Sequence, residues 1–488
     1  MPLLNRANQN PKIMTRINPY IVLLTLIATL GGLLFGYDTA VISGAVGSLR
    51  VYFINPRNLD PNAANSLLGF VTSSALIGCI VGGIFGGWVS TRIGRKRGLI
   101  VAAVLFLVSA LGAAAPEFPF APIGQGGAGY IWLFVFYRIL GGIGVGLASM
   151  LSPMYIAEIA PARIRGNLVA WNQLAIIFGM LVIYFVNYYI AKAGDSETWL
   201  NTIGWRYMFL SGAVPALGFL LLLLLVPETP RFLMLQGDEA GARGVLNKLG
   251  SAAEAEQELS EIRASLAEHH SGKVFSFGVL VVVIGILLSV FQQFIGINVV
   301  LYYAPEIFKG MGLSTNASLW QTIIVGAVNL AFTVVAVLTV DKYGRKPLQI
   351  IGALVMAASM IALGANFALH GQGLTALICM LGYIAGFAVS WGPVTWVLLS
   401  EIFPNQIRGK AMAVAVAAQW IANYLVSWTF PMLDGNPVLV SHFNHGFAYW
   451  IYGVMSLLAG LFVWKLVPET KGRSLEQMEK LWSKQKVQ

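Results

Sequence analysis

Long apolar runs alternate with short polar turns along almost the whole chain. Runs of about 20 residues, enough for a helix to cross the hydrocarbon core, fall near 18–46, 66–91, 98–115, 129–156, 166–194, 205–226, 275–304, 318–340, 347–368, 374–400, 409–432 and 445–466. The pattern predicts an all-α polytopic membrane protein with twelve transmembrane helices. The longest polar interruption, 228–273, is rich in Ala, Glu, Lys and Arg. Within it, DEAGARGVLNKL and AEAEQELSEIRASLAE space their apolar residues as short amphipathic helices do. Six runs precede this stretch and six follow. The expected organisation is an N-terminal tail (1–17), a six-helix bundle (18–227), a helical linker (228–273), a second six-helix bundle (274–467) and a C-terminal tail (468–488).

The polar turns repeat between the halves. STRIGRKRG (90–98) matches VDKYGRKPL (340–348), AEIAPARIRG (157–166) matches SEIFPNQIRG (400–409), and VPETPR (226–231) matches VPETKGR (467–473). Three ordered matches at nearly one offset mark a duplicated, pseudo-symmetric chain. Two parallel six-helix halves with a binding site between them near the bilayer midplane is a transporter architecture.

Charge adds topology. Only 11% of the 488 residues are charged, against about a quarter in soluble domains, and the mean hydropathy is +0.73. The net charge of +10 collects in alternate loops: Arg92, Arg95, Lys96 and Arg97; Arg163 and Arg165; Lys342, Arg345 and Lys346; Arg408 and Lys410. By the positive-inside rule these loops and both termini are cytoplasmic. The excess is therefore a topology signal, and no nucleic-acid partner is indicated. Residues 1–17 lack a cleavage site of signal-peptide type, so the first run is expected to stay in the membrane. Cys79 and Cys379 lie far apart within predicted spans, and neither a disulfide framework nor a metal-ligand spacing emerges. There is no Gly-rich phosphate loop and no nucleophile–base pair, so neither an enzyme nor a cofactor is indicated.

Against this apolar background a few side chains stand out. Asp38, within GGLLFGYDTAVISG (31–44), places a carboxylate where insertion costs about 2.5–3.5 kcal/mol or more. Arg138, in FVFYRILGG, is its natural partner. Burial and a neighbouring guanidinium act on a carboxyl proton in opposite senses, so movement of one against the other is a way to load and release a proton. A proton falling through 100 mV supplies about 2.3 kcal/mol, enough to concentrate a neutral solute roughly 50-fold. The alternative is a purely structural buried pair. Gln173, Gln292, Gln293, Asn298, Gln419 and Asn423 add amides, which both donate and accept. Trp396 and Trp420 add flat apolar faces with an indole N–H. This is chemistry for an uncharged polyol. The competing role is hydrogen-bonded glue between helices, but Gln292 and Gln293 point about 100° apart on a helix and call for a broad polar cavity.

The GRK-type loops, both E-x-x-P-x-x-x-R-G loops, PETPR and PETKG together resemble the sugar-porter branch of the major facilitator superfamily. GGIGVGLASMLSPMYIAE, FQQFIGINVVLYYAPE and SWGPVTWVLLSEIFP are similar to the bacterial D-xylose/proton symporters, over about 18–475. The resemblance implies import of a monosaccharide, D-xylose first, with a proton across a bacterial inner membrane, by a monomer. It implies sugar contacts at Gln173, Gln292, Gln293, Asn298, Trp396 and Gln419, with Phe35, Gly392 and Trp420 lining the cavity. It makes Tyr302 and Tyr303 an outer gate, although an interfacial aromatic belt would suit Tyr303 equally. Two positions depart from the symporter pattern: Met180 replaces a second fifth-span glutamine, and Gly212 replaces a glutamate. The first leaves hexoses open as substrates, and the second leaves open a proton-independent facilitator. A non-transporting sugar sensor is the remaining alternative.

The repeated loops also gather Arg95, Glu158, Arg163, Arg165, Glu228, Arg345, Glu401, Arg408, Glu469 and Arg473. Isolated surface pairs contribute only about 0–1 kcal/mol, but a network present in one state alone biases a two-state equilibrium. The expected role is a latch across both halves that closes the cytoplasmic side. Asp341 has no acidic counterpart at Thr91, which predicts a weaker N-terminal latch.

Overall fold

The computed structural model describes residues 18–161, 164–194, 196–267, 275–371, 373–404, 406–472, 477, 478 and 482. Among these, twelve helical spans are long and apolar enough to cross a membrane. They are Pro19–Arg57, Pro61–Arg92, Arg95–Ala114, Gly127–Ile159, Arg165–Ala193 and Glu197–Leu225 in the first half, then Val279–Gly310, Thr315–Tyr343, Arg345–Ala368, Gly373–Ile402, Arg408–Asp434 and Gly446–Leu466. Each coincides with an apolar run. Caps mark several starts: Asn18 accepts the Tyr20 N–H ahead of Pro19, and Asp60 accepts two N–H groups ahead of Pro61. In both cases a side-chain oxygen satisfies an otherwise orphaned donor, and proline has no donor to waste.

Several spans are not continuous helices. The first changes helix at Val41 and the tenth at Ser390. The seventh stops at Phe294 and restarts at Ile297, with Gly296 at φ 92° between. Only glycine adopts that left-handed conformation freely, and here the Tyr452 ring covers it so closely that a methyl would lie 2.6 Å away.

The linker forms three helices, Pro230–Leu235, Glu239–Leu249 and Ala252–Ala267. Arg263 pairs with Glu239 at 2.8 Å, and that hydrogen bond and charge hold the Glu239 carboxyl below the usual carboxylate range. Asn18 donates to the Lys248 carbonyl at 2.9 Å, which ties the linker to the start of the first span. Residues 268–273 of the expected linker, and residue 274 at the start of the expected second bundle, lie outside the described residues. In the C-terminal tail Met478 and Trp482 are buried, and the Trp482 indole donates to the Ile402 carbonyl at 2.9 Å.

The halves meet along the second and eleventh spans and along the fifth and eighth. Their hydrogen bonds gather at the end opposite the basic loops. Trp428 donates to the Ser66 carbonyl (3.1 Å), Asn65 to the Gly435 carbonyl (2.9 Å), Tyr184 to the Leu301 carbonyl (2.9 Å) and Thr315 to Glu197 (3.0 Å). The molecule is thus drawn together on the side away from its basic loops.

Candidate functional site

Asp38 lies one turn before the break in the first span, where spans one and four pass each other. Arg138 donates through one terminal nitrogen to Asp38 Oδ1 at 2.9 Å and through the other to the Asp38 carbonyl at 3.0 Å. The arginine is 1% exposed, and its guanidinium lies 5.3 Å from the centre of the Phe209 ring. Two opposite charges are therefore held together in a largely enclosed site, while Asp38 Oδ2 and Arg138 Nε stay without protein partners.

The amides of the second half form a chain. Gln292 donates to the Trp391 and Gly392 carbonyls at 2.8 and 3.2 Å. Gln293 donates to Gln292 Oε1, and Asn298 donates to Gln293 Oε1 at 2.5 Å. The break at Gly296 makes this possible, because it returns Asn298 towards the preceding turn. Gln419 is buried with its carbonyl oxygen free of protein donors. Trp420 lies 5.7 Å from Phe35, ring centre to ring centre, so an aromatic pair spans the two halves. Gln173 and Trp396 are half-buried on the fifth and tenth spans and stand outside the hydrogen-bonded chain. Met180 is buried against the first span, where its N–H faces Gly36.

Tyr302 and Tyr303 are 3% and 2% exposed. Tyr303 donates to the Ser427 carbonyl at 3.0 Å and packs on Phe430. The aromatic-belt alternative is therefore corrected: a belt tyrosine keeps its ring at the lipid–water boundary, and this one is enclosed between helices.

The repeated loops build the same small network twice. Arg95 binds Glu158 at 2.8 Å while Glu228 accepts the backbone N–H groups of Arg95 and Lys96. Arg345 binds Glu401 at 2.8 Å while Glu469 accepts those of Arg345 and Lys346. Glu228 and Glu469 thus cap the third and ninth spans, where a carboxylate meets the positive end of the helix. Arg165 and Arg408 turn back on the carbonyls of Ala160 and Phe403, and Arg165 also reaches Glu258 of the linker at 3.5 Å. Arg345 has a further partner in Asp341 at 2.9 Å, whereas Thr91 bonds only to its own helix. The expected latch residues are therefore joined here within each half rather than across them. Arg163 and Arg473 lie outside the described residues.

Three features escaped the sequence reading. The helix breaks are one, signalled only by Gly296 within FIGI. A second is the capping by Glu228 and Glu469. The third is a buried pair at the end of the first half opposite the basic loops, in which Arg206 meets Glu117 at 2.7 Å. In the sequence Glu117 is the only charged residue of 116–128, and only the fold brings Arg206 to it.

A family model described as "Sugar (and other) transporter" matches residues 24–482. The D-xylose-proton symporter of Escherichia coli K12 is 62% identical over 95% of this chain and 96% of its own. The glucose facilitated diffusion protein of Zymomonas mobilis is 44% identical over 95% and 98%. Among solved structures, the xylose transporter of E. coli in an inward open conformation superposes with a TM-score of 0.87 at 60% identity, covering 95% of this chain and all of that one.

Proposed function

We infer the function from the premise that this chain belongs to the sugar transporter family: it imports a neutral monosaccharide, D-xylose, together with a proton by alternating access. The observation that carries this reading is the 2.9 Å contact of Arg138 with Asp38, a buried titratable pair in a half whose Phe35 faces Trp420 of the other. The similarity to a relative named as a D-xylose-proton symporter supports both substrates. In this reading Asp38 carries the proton and Arg138 competes with it for the carboxylate. Gln173, Gln292, Gln293, Asn298, Trp396 and Gln419 hold the sugar in a cavity lined by Phe35, Gly392 and Trp420. Tyr302 and Tyr303 close its outer side. In the same reading Arg95, Glu158, Arg165, Glu228, Arg345, Glu401, Arg408 and Glu469 close the cytoplasmic side in the outward-facing state. The protein works as a monomer in a bacterial inner membrane with both termini cytoplasmic.

The test is sugar-induced alkalinisation in proteoliposomes that hold the purified protein and an external pH electrode. D-xylose addition is expected to make protons disappear from the outside, and pentoses and hexoses added in competition rank the substrates. A second reading, proton-independent facilitation, draws on Gly212, where the symporter pattern has a carboxylate, and on the similarity to a glucose facilitator. Sugar equilibration with no pH change would select it and reject symport.

A further inference from the structure

The turn between the third and fourth spans, PEFPFAPIGQGGA (116–128), is built inside out. Phe118, Phe120 and Ile123 are 64%, 72% and 55% exposed, whereas Glu117, the only charged residue of the stretch, is 1% exposed. A turn surrounded by water has the opposite arrangement, with charge outside and rings inside. Clustered exposed apolar side chains mark a surface that another apolar phase covers.

The hydrogen bonds fix the level of this turn. The third span, Arg95–Ala114, has 20 residues, about 30 Å of helix, which matches the hydrocarbon core. It starts in a basic loop, so Ala114 stands at the opposite boundary of that core. Arg206, at the start of the sixth span, donates to the Ala114 carbonyl at 3.0 Å and meets Glu117 at 2.7 Å. Glu117 accepts the Gly124 N–H at 2.6 Å through its side chain, and those of Phe120 and Ala121 at 2.8 and 2.9 Å through its carbonyl. The segment is thereby folded back onto the end of its own helix and kept close to the boundary. It stands over the third and sixth spans, where Leu111, one turn before Ala114, and Tyr207 and Leu210, beside Arg206, are exposed. On helices that cross a bilayer such side chains face lipid, and the exposed residues of the turn extend that surface past the helix ends.

We propose that residues 118–123 are a membrane anchor: Phe118, Phe120 and Ile123 insert at the headgroup–acyl boundary of the leaflet opposite the basic loops, above the buried Arg206–Glu117 pair. Apolar and aromatic side chains at this depth are stabilised by leaving water for the acyl boundary, and phenylalanine has no polar tip to keep wet. The partner is phospholipid of any headgroup, because the one charge of the turn is turned inward and already neutralised by Arg206.

The test is the depth of nitroxide labels on the full chain in proteoliposomes of neutral phospholipid. Cys79 is buried and Cys379 half-buried, so the labelling background is Cys379→Ser. Labels are attached in turn to Phe118→Cys, Phe120→Cys, Ile123→Cys and, as the polar reference in the same turn, Gln125→Cys. All four positions are exposed, so sugar uptake should stay within about twofold of the background protein. Power saturation should show molecular oxygen relaxing the labels at Phe118, Phe120 and Ile123 several-fold more effectively than a water-soluble nickel chelate, with a clearly lower ratio at Gln125. A chelate that reaches these three sites as readily as Gln125 overturns the proposal and leaves the turn in water. An oxygen preference that disappears when the protein is diluted in lipid also overturns it, because the cover is then a second copy of the chain.

Discussion

Trp428 on the eleventh span donates its indole N–H to the Ser66 carbonyl on the second, 3.1 Å away, and this bond stitches the two halves together at their outer end. At Gly69 the helices approach so closely that a methyl group would lie 2.1 Å from the Trp428 carbonyl. Asn65, steadied by Arg50 at 2.8 Å, adds its bond to Gly435. A state open to the outside has to part all three. Gly69→Leu is therefore expected to hold the outer side open, because no rotamer of a branched side chain fits against a backbone carbonyl. Trp428→Phe should do so weakly: one hydrogen bond is worth about 0.5–1.5 kcal/mol, roughly a two- to tenfold shift. Cysteine labelling across the outer seam reads both. Wild-type accessibility in Gly69→Leu would show that the seam does not gate.

Asp38 and Arg138 separate coupling from stability. Asp38→Asn keeps the shape and is expected to preserve sugar counterflow while abolishing accumulation above the external concentration. Arg138→Ala leaves a buried carboxylate unpaired, at a cost of about 3–5 kcal/mol. Its thermal unfolding temperature should fall clearly, and adding Asp38→Asn should recover part of the loss. A double variant no more stable than Arg138→Ala would mean that the pair is not the source of the penalty.

The amides divide by what they already hold. Gln292 spends its N–H donors on the Trp391 and Gly392 carbonyls, so Gln292→Ala should lower both sugar affinity and thermal stability by untying the seventh span from the tenth. Gln419 has a free acceptor. Gln419→Ala should raise the Kd for D-xylose several-fold, about one hydrogen bond, with little change in stability. Calorimetric binding beside a thermal-shift series distinguishes them, and equal losses of stability would refute the distinction.

Glu401 accepts two bonds from Arg345 and one from Thr470, while Glu469 caps the ninth span. If the cytoplasmic network biases the two states, Glu401→Ala should enlarge the inward-open fraction several-fold, and Glu158→Ala should do the same in the first half. Accessibility labelling on the cytoplasmic side measures the ratio. An unchanged ratio in Glu401→Ala would reduce these charges to helix caps and topology signals.

The twelve spans, the duplication and the Asp38–Arg138 partnership were legible in the sequence because each rests on a strong local signal: apolar length, loop motifs, or a charge in hydrocarbon. What stayed hidden depends on two distant segments at once. The pairing of Arg206 with Glu117 joins residues whose own neighbourhoods say nothing of each other. PETPR and PETKG were readable as repeats, but the capping role of Glu228 and Glu469 requires the third and ninth spans to start beside them. The site amides were legible as an inventory. Their order, with Gln292 bound to the tenth span and Gln419 free, depends on the break at Gly296, and one glycine within an apolar run does not announce a break.

The outer seam also has a titratable support. His445 hydrogen-bonds through Nδ1 to the Asp434 carbonyl at 2.8 Å and lies 3.3 Å from its carboxylate. Hydrogen bonding to the Asp434 carboxylate raises the His445 pKa most, against the opposing effect of burial, and the carboxylate charge and the carbonyl bond raise it further. Asp434 directly precedes Gly435, whose carbonyl Asn65 holds from the other half. A histidine raised in the folded state contributes its stabilisation fully below its unfolded pKa, about 6.5, and loses it as pH rises through the folded value. The His370 ring, which Asn444 contacts, the Tyr449 phenol and His442 of the adjoining short helix are further titratable groups nearby. Between about pH 6 and 8, wild-type thermal stability and outer-seam closure should both decline relative to His445→Gln, which carries no charge at either pH. Parallel pH profiles for the two proteins would assign the dependence to other groups, and a steeper decline in the variant would reverse the sign worked out here.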